Sequence, residues 1–231
     1  MQTFSLIIWM LLFSAICTAA LAAYGRRFIP RIGAALPYTL LMTAASGFAC
    51  MNTLELLSRT LELKILFHNL RFLFLPYIAI LELWLILEYV KRAEWFRRRW
   101  TLSLIVIPVT ATLLALTSPW HTLFRYNFSL ITIGPVPVLE YSESAFFHLY
   151  SGFSLAILII CYLILFNDSR KTQTLFEKQT LLLFAALLIP SIITYLFALG
   201  ITPVQGVNLT APLFWISAFL FTIALFRYRF L

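Results

Sequence analysis

Residues Ile65–Val90 read ILFHNLRFLFLPYIAILELWLILEYV, a long apolar run broken only by His68, Asn69, Arg71, Pro76, Glu82 and Glu88. A bilayer core about 30 Å thick takes roughly 20 residues of helix, so this run predicts a membrane-crossing helix. Working outward, six more runs of similar length follow: Phe4–Tyr24, Ala34–Leu57, Thr101–Ser118, Ala145–Phe166, Thr180–Leu199 and Leu209–Phe226. Of the 231 residues, 62% are hydrophobic and 11% charged, against about a quarter charged in soluble domains. The expected fold is an all-α membrane protein, a single seven-helix bundle filling residues 1–231. The chemistry must then happen within or across a lipid bilayer.

The charges give the expected orientation. Of the 17 Lys and Arg, 13 fall in alternate connections and at the C-terminus: Arg26, Arg27 and Arg31; Lys91, Arg92 and Arg97–Arg99; Arg170, Lys171 and Lys178; Arg227 and Arg229. The opposite side holds only Arg59, Lys64, Arg71 and Arg125. Positive connections stay cytoplasmic, which puts the N-terminus outside and the C-terminus inside, as an odd number of helices requires. The same placement explains the net charge of +8 without nucleic acid. Ala20-Leu21-Ala22 has the look of a signal-cleavage site, but Met1–Ser5 carries no positive charge and the basic cluster follows the apolar run, the pattern of a retained helix. Cys17, Cys50 and Cys161 lie inside apolar runs, so neither a disulfide framework nor a zinc site is expected.

The largest connection, residues 119–144, is expected outside. Leu130–Ile133 and Val136–Leu139 are short β-prone runs about its Pro135/Pro137 turn, compatible with a hairpin. Pro76, Pro108 and Pro190 sit within helices three, four and six, where bends are expected.

Ionisable side chains at membrane depth are costly. The densest group is Glu55, Arg59, Glu62, Lys64, His68 and Arg71. Glu55, Arg59 and Glu62 have the i, i+4, i+7 spacing of one helical face, and Lys64, His68 and Arg71 repeat it on the next helix. An ion-paired rim locking two helices and a polar pocket for an outside ligand both fit. Glu82 lies deep in helix three with no opposite charge at i±3 or i±4, so it needs a partner from another helix or keeps its proton. It is either a hydrogen-bonded structural carboxyl or a proton-relay group. Glu88 has Arg92 at i+4, an ordinary interfacial pair. His121 and His148 bracket the long connection with Glu140 and Glu143 between them, but the spacing matches no compact metal signature; the two carboxylates read as solvated.

Several function classes drop out. Helix seven has no Lys for a retinal Schiff base, no Asp-Arg-Tyr follows helix three, and helix seven lacks Asn-Pro-x-x-Tyr. Gly-rich phosphate loops, His-Glu-x-x-His and Gly-x-Ser-x-Gly are missing as well, so no enzyme and no cofactor is expected.

Taken in order, Lys64 with Pro76, then Thr117, His121, Leu123 and Phe124 after helix four, Gln179 with Pro190, Thr210 with Pro212, and the closing Arg227-Tyr228-Arg229 resemble the seven-transmembrane N-terminal sensor region of prokaryotic histidine kinases, also found ahead of diguanylate cyclases. The chain departs from that pattern at Ser118-Pro119 and at Asn208, where the family tends to carry Asn and Asp. The resemblance implies a multi-pass plasma-membrane receptor, homodimeric, that passes an external or membrane-borne signal through helix seven to a kinase or cyclase output beyond this chain. It implies an outer-half ligand site drawn from Glu55, Arg59, His68, Arg71, His121, His148, Asn208 and Thr210, and an output end at Arg227 and Arg229. The alternatives are a small proton-coupled carrier using Glu82, or a ligand-free assembly subunit. The lack of internal repeats and the apolar inner halves of helices five to seven speak against a carrier.

Overall fold

A computed structural model describes residues 2–96, 101–133, 136–170, 175–198, 201 and 209–227. Its helices are α1 (Gln2–Arg26), α2 (Ala35–Leu57), α3 (Leu61–Leu70), α4 (Leu75–Tyr89), α5 (Thr101–Leu116), α6 (Ala145–Ser169), α7 (Leu175–Ala198) and α8 (Thr210–Thr222), the last running on into a π-helical turn at Ile223–Arg227. Among the described residues six spans are long and apolar enough to cross a membrane, with α3 and α4 forming one of them, and α5 is a shorter apolar helix. α1 packs on α2 and α8, α8 on α7, α4 on α2, α5 and α6, and α6 on α7. The helices therefore form a closed bundle.

The span around Ile65–Val90 is not one helix. It starts at Leu61 and breaks at Arg71–Leu73, a single 3-10 turn, before resuming at Leu75. Pro76 explains the break: it has no N–H for the Phe72 carbonyl four residues back, and its ring would clash there. In hydrocarbon an orphan carbonyl is costly. Thr112 of α5 resolves it by donating its hydroxyl to Phe72 O at 2.8 Å.

Other helix pairs are joined in the same way, by hydroxyls that would be unsatisfied in lipid. Ser14 donates to Ala211 O (2.8 Å), Ser46 donates to Ala15 O (2.9 Å), and Tyr38 meets Thr222 at 2.6 Å. Tyr89 meets Thr180 at 3.1 Å, and Thr194 meets Thr210 at 2.8 Å. The main apolar core lies between α2, α4, α6, α7 and α8, where Tyr38, Leu85, Cys161, Leu187 and Phe221 are fully buried.

Two strands depart from the all-helical expectation. β1 (Arg125–Ile133) and β2 (Val136–Glu143) form an antiparallel hairpin longer than the short runs in the sequence suggest, with Arg125 opposite Glu143 and Leu130 opposite Leu139. A bulge between Tyr126 and Ser129 carries Asn127 at φ 56, a left-handed conformation that Asn tolerates. The hairpin folds against α2 and α3, and Val138 is buried beside Phe48 and Leu11.

The Glu88–Arg92 pair does not form. The helix ends at Tyr89 and Lys91 turns left-handed (φ 58), so the i+4 geometry is lost. Glu88 instead accepts from Trp84 Nε1 at 3.2 Å, and Arg92 stacks over Trp95.

Candidate functional site

α2 ends at Leu57, so Glu55, Arg59 and Glu62 do not share a helical face. Arg59 is exposed in the turn and Glu62 belongs to α3. Lys64 and His68 lie on α3, and Arg71 opens the 3-10 turn. The tight turn nonetheless folds the second group back onto the end of α2. Lys64, 1% exposed, donates its ammonium at 2.8 Å to the Glu55 backbone oxygen in the last turn of α2, an oxygen that also accepts from Ser58 N at 3.3 Å.

The Glu55 carboxylate is the hub. His68 Nδ1 lies 2.9 Å from Oε1, and Arg71 Nη1 lies 3.4 Å from Oε2 and 3.4 Å from Asn52 Oδ1. Arg71 Nη2 reaches His68 Nε2 at 2.9 Å. A guanidinium only donates, so Nε2 accepts and the imidazole proton sits on Nδ1, facing Glu55. The geometry thus holds a neutral His68 between a carboxylate and a guanidinium.

Arg125 completes this end of the bundle. The folded hairpin carries it over α3, where it is 0% exposed, donates to Asn69 Oδ1 at 3.1 Å and lies 4.4 Å above the Phe72 ring. Phe124 and Tyr141 flank it at 5.3 and 5.2 Å. Burial pushes this guanidinium down to about 9, which still leaves it charged at neutral pH. Three buried guanidinium nitrogens, Arg71 Nε and Arg125 Nε and Nη1, have no acceptor among the described residues.

Below this cluster opens a cavity of about 660 Å³, within the range of small-molecule sites. Glu55, His68 and Arg71 line one end of it with Tyr141 and Glu143 of β2 and His148 of α6. Glu143 is 36% exposed, 3.8 Å from His148, and burial raises its carboxyl above the ordinary value. The walls are apolar, from Leu75, Ile78, Ala79, Leu155, Leu158 and Phe214. Ser154, Ser191, Thr194, Thr210 and Glu82 complete the polar lining. Glu82 is 6% exposed, and its carboxyl has no hydrogen-bond partner among the described residues.

The cavity therefore collects Glu55, His68, Arg71, His148, Thr210 and Glu82, and leaves out Arg59 and His121. His121 instead ties the turn after α5: its Nδ1 accepts from Leu123 N at 3.2 Å and its Nε2 donates to Thr117 Oγ1 at 2.8 Å. Asn208 and Arg229 lie outside the described residues. Arg227 is exposed at the end of the π-helical turn. Sequence reasoning passed over Arg125, Asn52, Tyr141, Ser154, Ser191 and Thr194, and read Glu143 as solvated without its place in the cavity lining. The one available signal was a lone Arg abutting a β-prone stretch on the side poor in positive charge.

Over residues 10–231 the sequence matches the family described as the N-terminal 7TM region of histidine kinase, and the chain belongs to that family. No curated protein and no solved structure matches it. The family and the apolar helices together make this a multi-pass plasma-membrane protein, an input region that works in a lipid bilayer toward a cytoplasmic kinase output.

Proposed function

We propose that this domain is a receptor whose signal binds in the cavity from the outer side and is passed on by α8. The cavity itself carries the reading: a membrane-embedded space of about 660 Å³ with a charged outer end is far more than helix packing needs, since interiors normally leave few voids larger than water. The distribution of Lys and Arg supports an N-terminus outside and a C-terminus in the cytoplasm. By family the receptor is expected to work as a homodimer.

α8 suits the relay. Thr210 and Phe214 line the cavity, and a dozen residues later the same helix enters its π-helical turn. There Phe226 is held by Tyr24, Phe28 and Tyr38 at ring distances of 5.6, 4.8 and 5.1 Å. A ligand shifts such a device only if it binds one arrangement better than another.

The test is a thermal-shift screen of the protein in lipid nanodiscs against amphiphiles, short peptides, amino acids and metal ions. A ligand at 100 times its Kd stabilises by about 2.7 kcal/mol. The receptor reading expects a hit that Arg71→Gln or Glu55→Gln abolishes. If no ligand acts and only Glu82→Gln changes the pH response, the proton-coupled carrier replaces it.

A further inference from the structure

Three carboxyl side chains line the cavity, Glu55, Glu82 and Glu143, against one fixed cation, Arg71. Two of the three are answered within the chain. Glu55 is held by Arg71 at 3.4 Å and by His68 at 2.9 Å, and Glu143 has His148 at 3.8 Å. Glu82 has neither an ion pair nor a hydrogen bond among the described residues, and at 6% exposure it is more than nine-tenths buried. A carboxyl within a membrane span is costly unless something pairs with it.

The position of Glu82 makes the cavity the place from which that partner comes. Leu75, Ile78, Ala79 and Glu82 recur at the three- and four-residue spacing of a single face of α4, and all four line the cavity. The buried polar atoms that lack both a partner and accessible surface belong to Arg71, Arg125, Tyr162 and Ser217. The Glu82 oxygens are not among them, so the carboxyl keeps accessible surface, and the cavity is the space it borders.

The rest of the lining offers acceptors and rings. Ser191 and Thr194 donate their hydroxyl protons to Leu187 O at 2.6 Å and Pro190 O at 2.8 Å, so what they have left for a ligand is acceptor oxygen. Aromatic side chains line the space, Tyr141, Phe147, Tyr150, Tyr195 and Phe214 among them, and ring faces attract an ammonium most where water is excluded. Leu155 and Leu158 leave an apolar wall for the remainder of the molecule. One unanswered carboxyl, acceptor oxygens and ring faces together fit a donor that carries one positive charge on an apolar body.

We infer that the cavity takes a lipophilic monoamine, its ammonium on the Glu82 carboxylate and its apolar body among the aromatic and leucine side chains. This rests on the reading of the cavity as the receptor's ligand site.

The test uses the full chain in phosphatidylcholine nanodiscs with three probes that share one ring system: tryptamine, the neutral tryptophol and the anionic indolepropionate. Affinities are read from the rise of Tm with probe concentration, each variant against its own baseline. Tryptamine is expected to bind at least about tenfold more tightly than either of the others, the margin of a charge-assisted hydrogen bond. Glu82→Gln keeps the shape and removes the charge; it weakens tryptamine by about tenfold to a hundredfold and tryptophol by less than about threefold. Retained tryptophol binding shows that this variant is folded, so the loss of the amine is read directly. Tryptophol or indolepropionate equal to tryptamine overturns the amine assignment, as does tryptamine binding that Glu82→Gln leaves unchanged. In either case the cavity has still taken a ligand, and the receptor reading stands. If none of the three binds, the amine assignment fails, and the receptor reading then rests on the wider ligand screen.

Discussion

Thr112 holds the only described hydroxyl that meets the carbonyl freed by Pro76, so the break between α3 and α4 depends on it. Thr112→Val keeps the shape and removes the donor; it is expected to lower stability in lipid by about 1–3 kcal/mol, with Thr112→Ser close to wild type. Equal stability of the Val and Ser variants would show that the break is held by packing alone. Glu143 offers a second test through pH. Burial raises its carboxyl above 4.5 in the folded protein, the neighbouring His148 and Arg125 notwithstanding. A raised value means that the fold favours the protonated form: the stability this brings is full below pH 4.5 and is lost as pH rises through the folded value. Glu143→Gln is therefore expected to raise Tm at pH 7, and its advantage over wild type should vanish as the pH is lowered to 4.5. A difference that stays constant across that range would contradict the account. The polar cluster was partly legible in the sequence because Glu55, His68 and Arg71 are expensive at those positions and had to find one another. Arg125 and Glu143 were not, because what brings them to the cluster is a hairpin folding back over α3, a tertiary event that leaves no periodicity in the chain.

Among the elements, the packing of α2 on the α3–α4 break positions the mouth of the cavity. A Cβ on Gly47 would fall 2.5 Å from the Phe74 ring, so this glycine lets α2 and the break approach closely. Gly47→Ala is expected to destabilise by about 1–3 kcal/mol through overpacking. Gly152 of α6 has nothing within 4 Å of the same position, and Gly152→Ala is expected to stabilise by roughly 0.5–1 kcal/mol as a helical glycine replaced in open space. Unfolding in mixed micelles measures both, and a neutral Gly47→Ala would show that Phe74 gives way freely. The spans themselves were readable from length and hydropathy, since lipid requires a helix wherever an apolar run is long enough. Where α3 breaks was not: Pro76 announces a kink, but the carbonyl that needs rescue belongs to Phe72 and its rescuer, Thr112, is 40 residues away in sequence. The same limit applies to Glu55, Arg59 and Glu62, whose helical spacing meant nothing once α2 stopped at Leu57.

In the molecule as a whole, the Glu55 charge cluster borders the cavity, and α8 runs from the cavity to the aromatic grip on Phe226. The proposed receptor would convert occupancy of the cavity into a displacement at the π-helical end of α8. Spin labels at Arg31→Cys and Arg227→Cys, both exposed, in a background with Cys17, Cys50 and Cys161 replaced by Ala, report that displacement as a distance in nanodiscs. With the most stabilising ligand of the thermal-shift screen added at saturation, the account predicts a shifted distance distribution in the otherwise native chain and none in Arg71→Gln. A ligand that binds and raises Tm while the distribution stays unchanged would contradict it, because the cavity and the end of α8 would then be uncoupled.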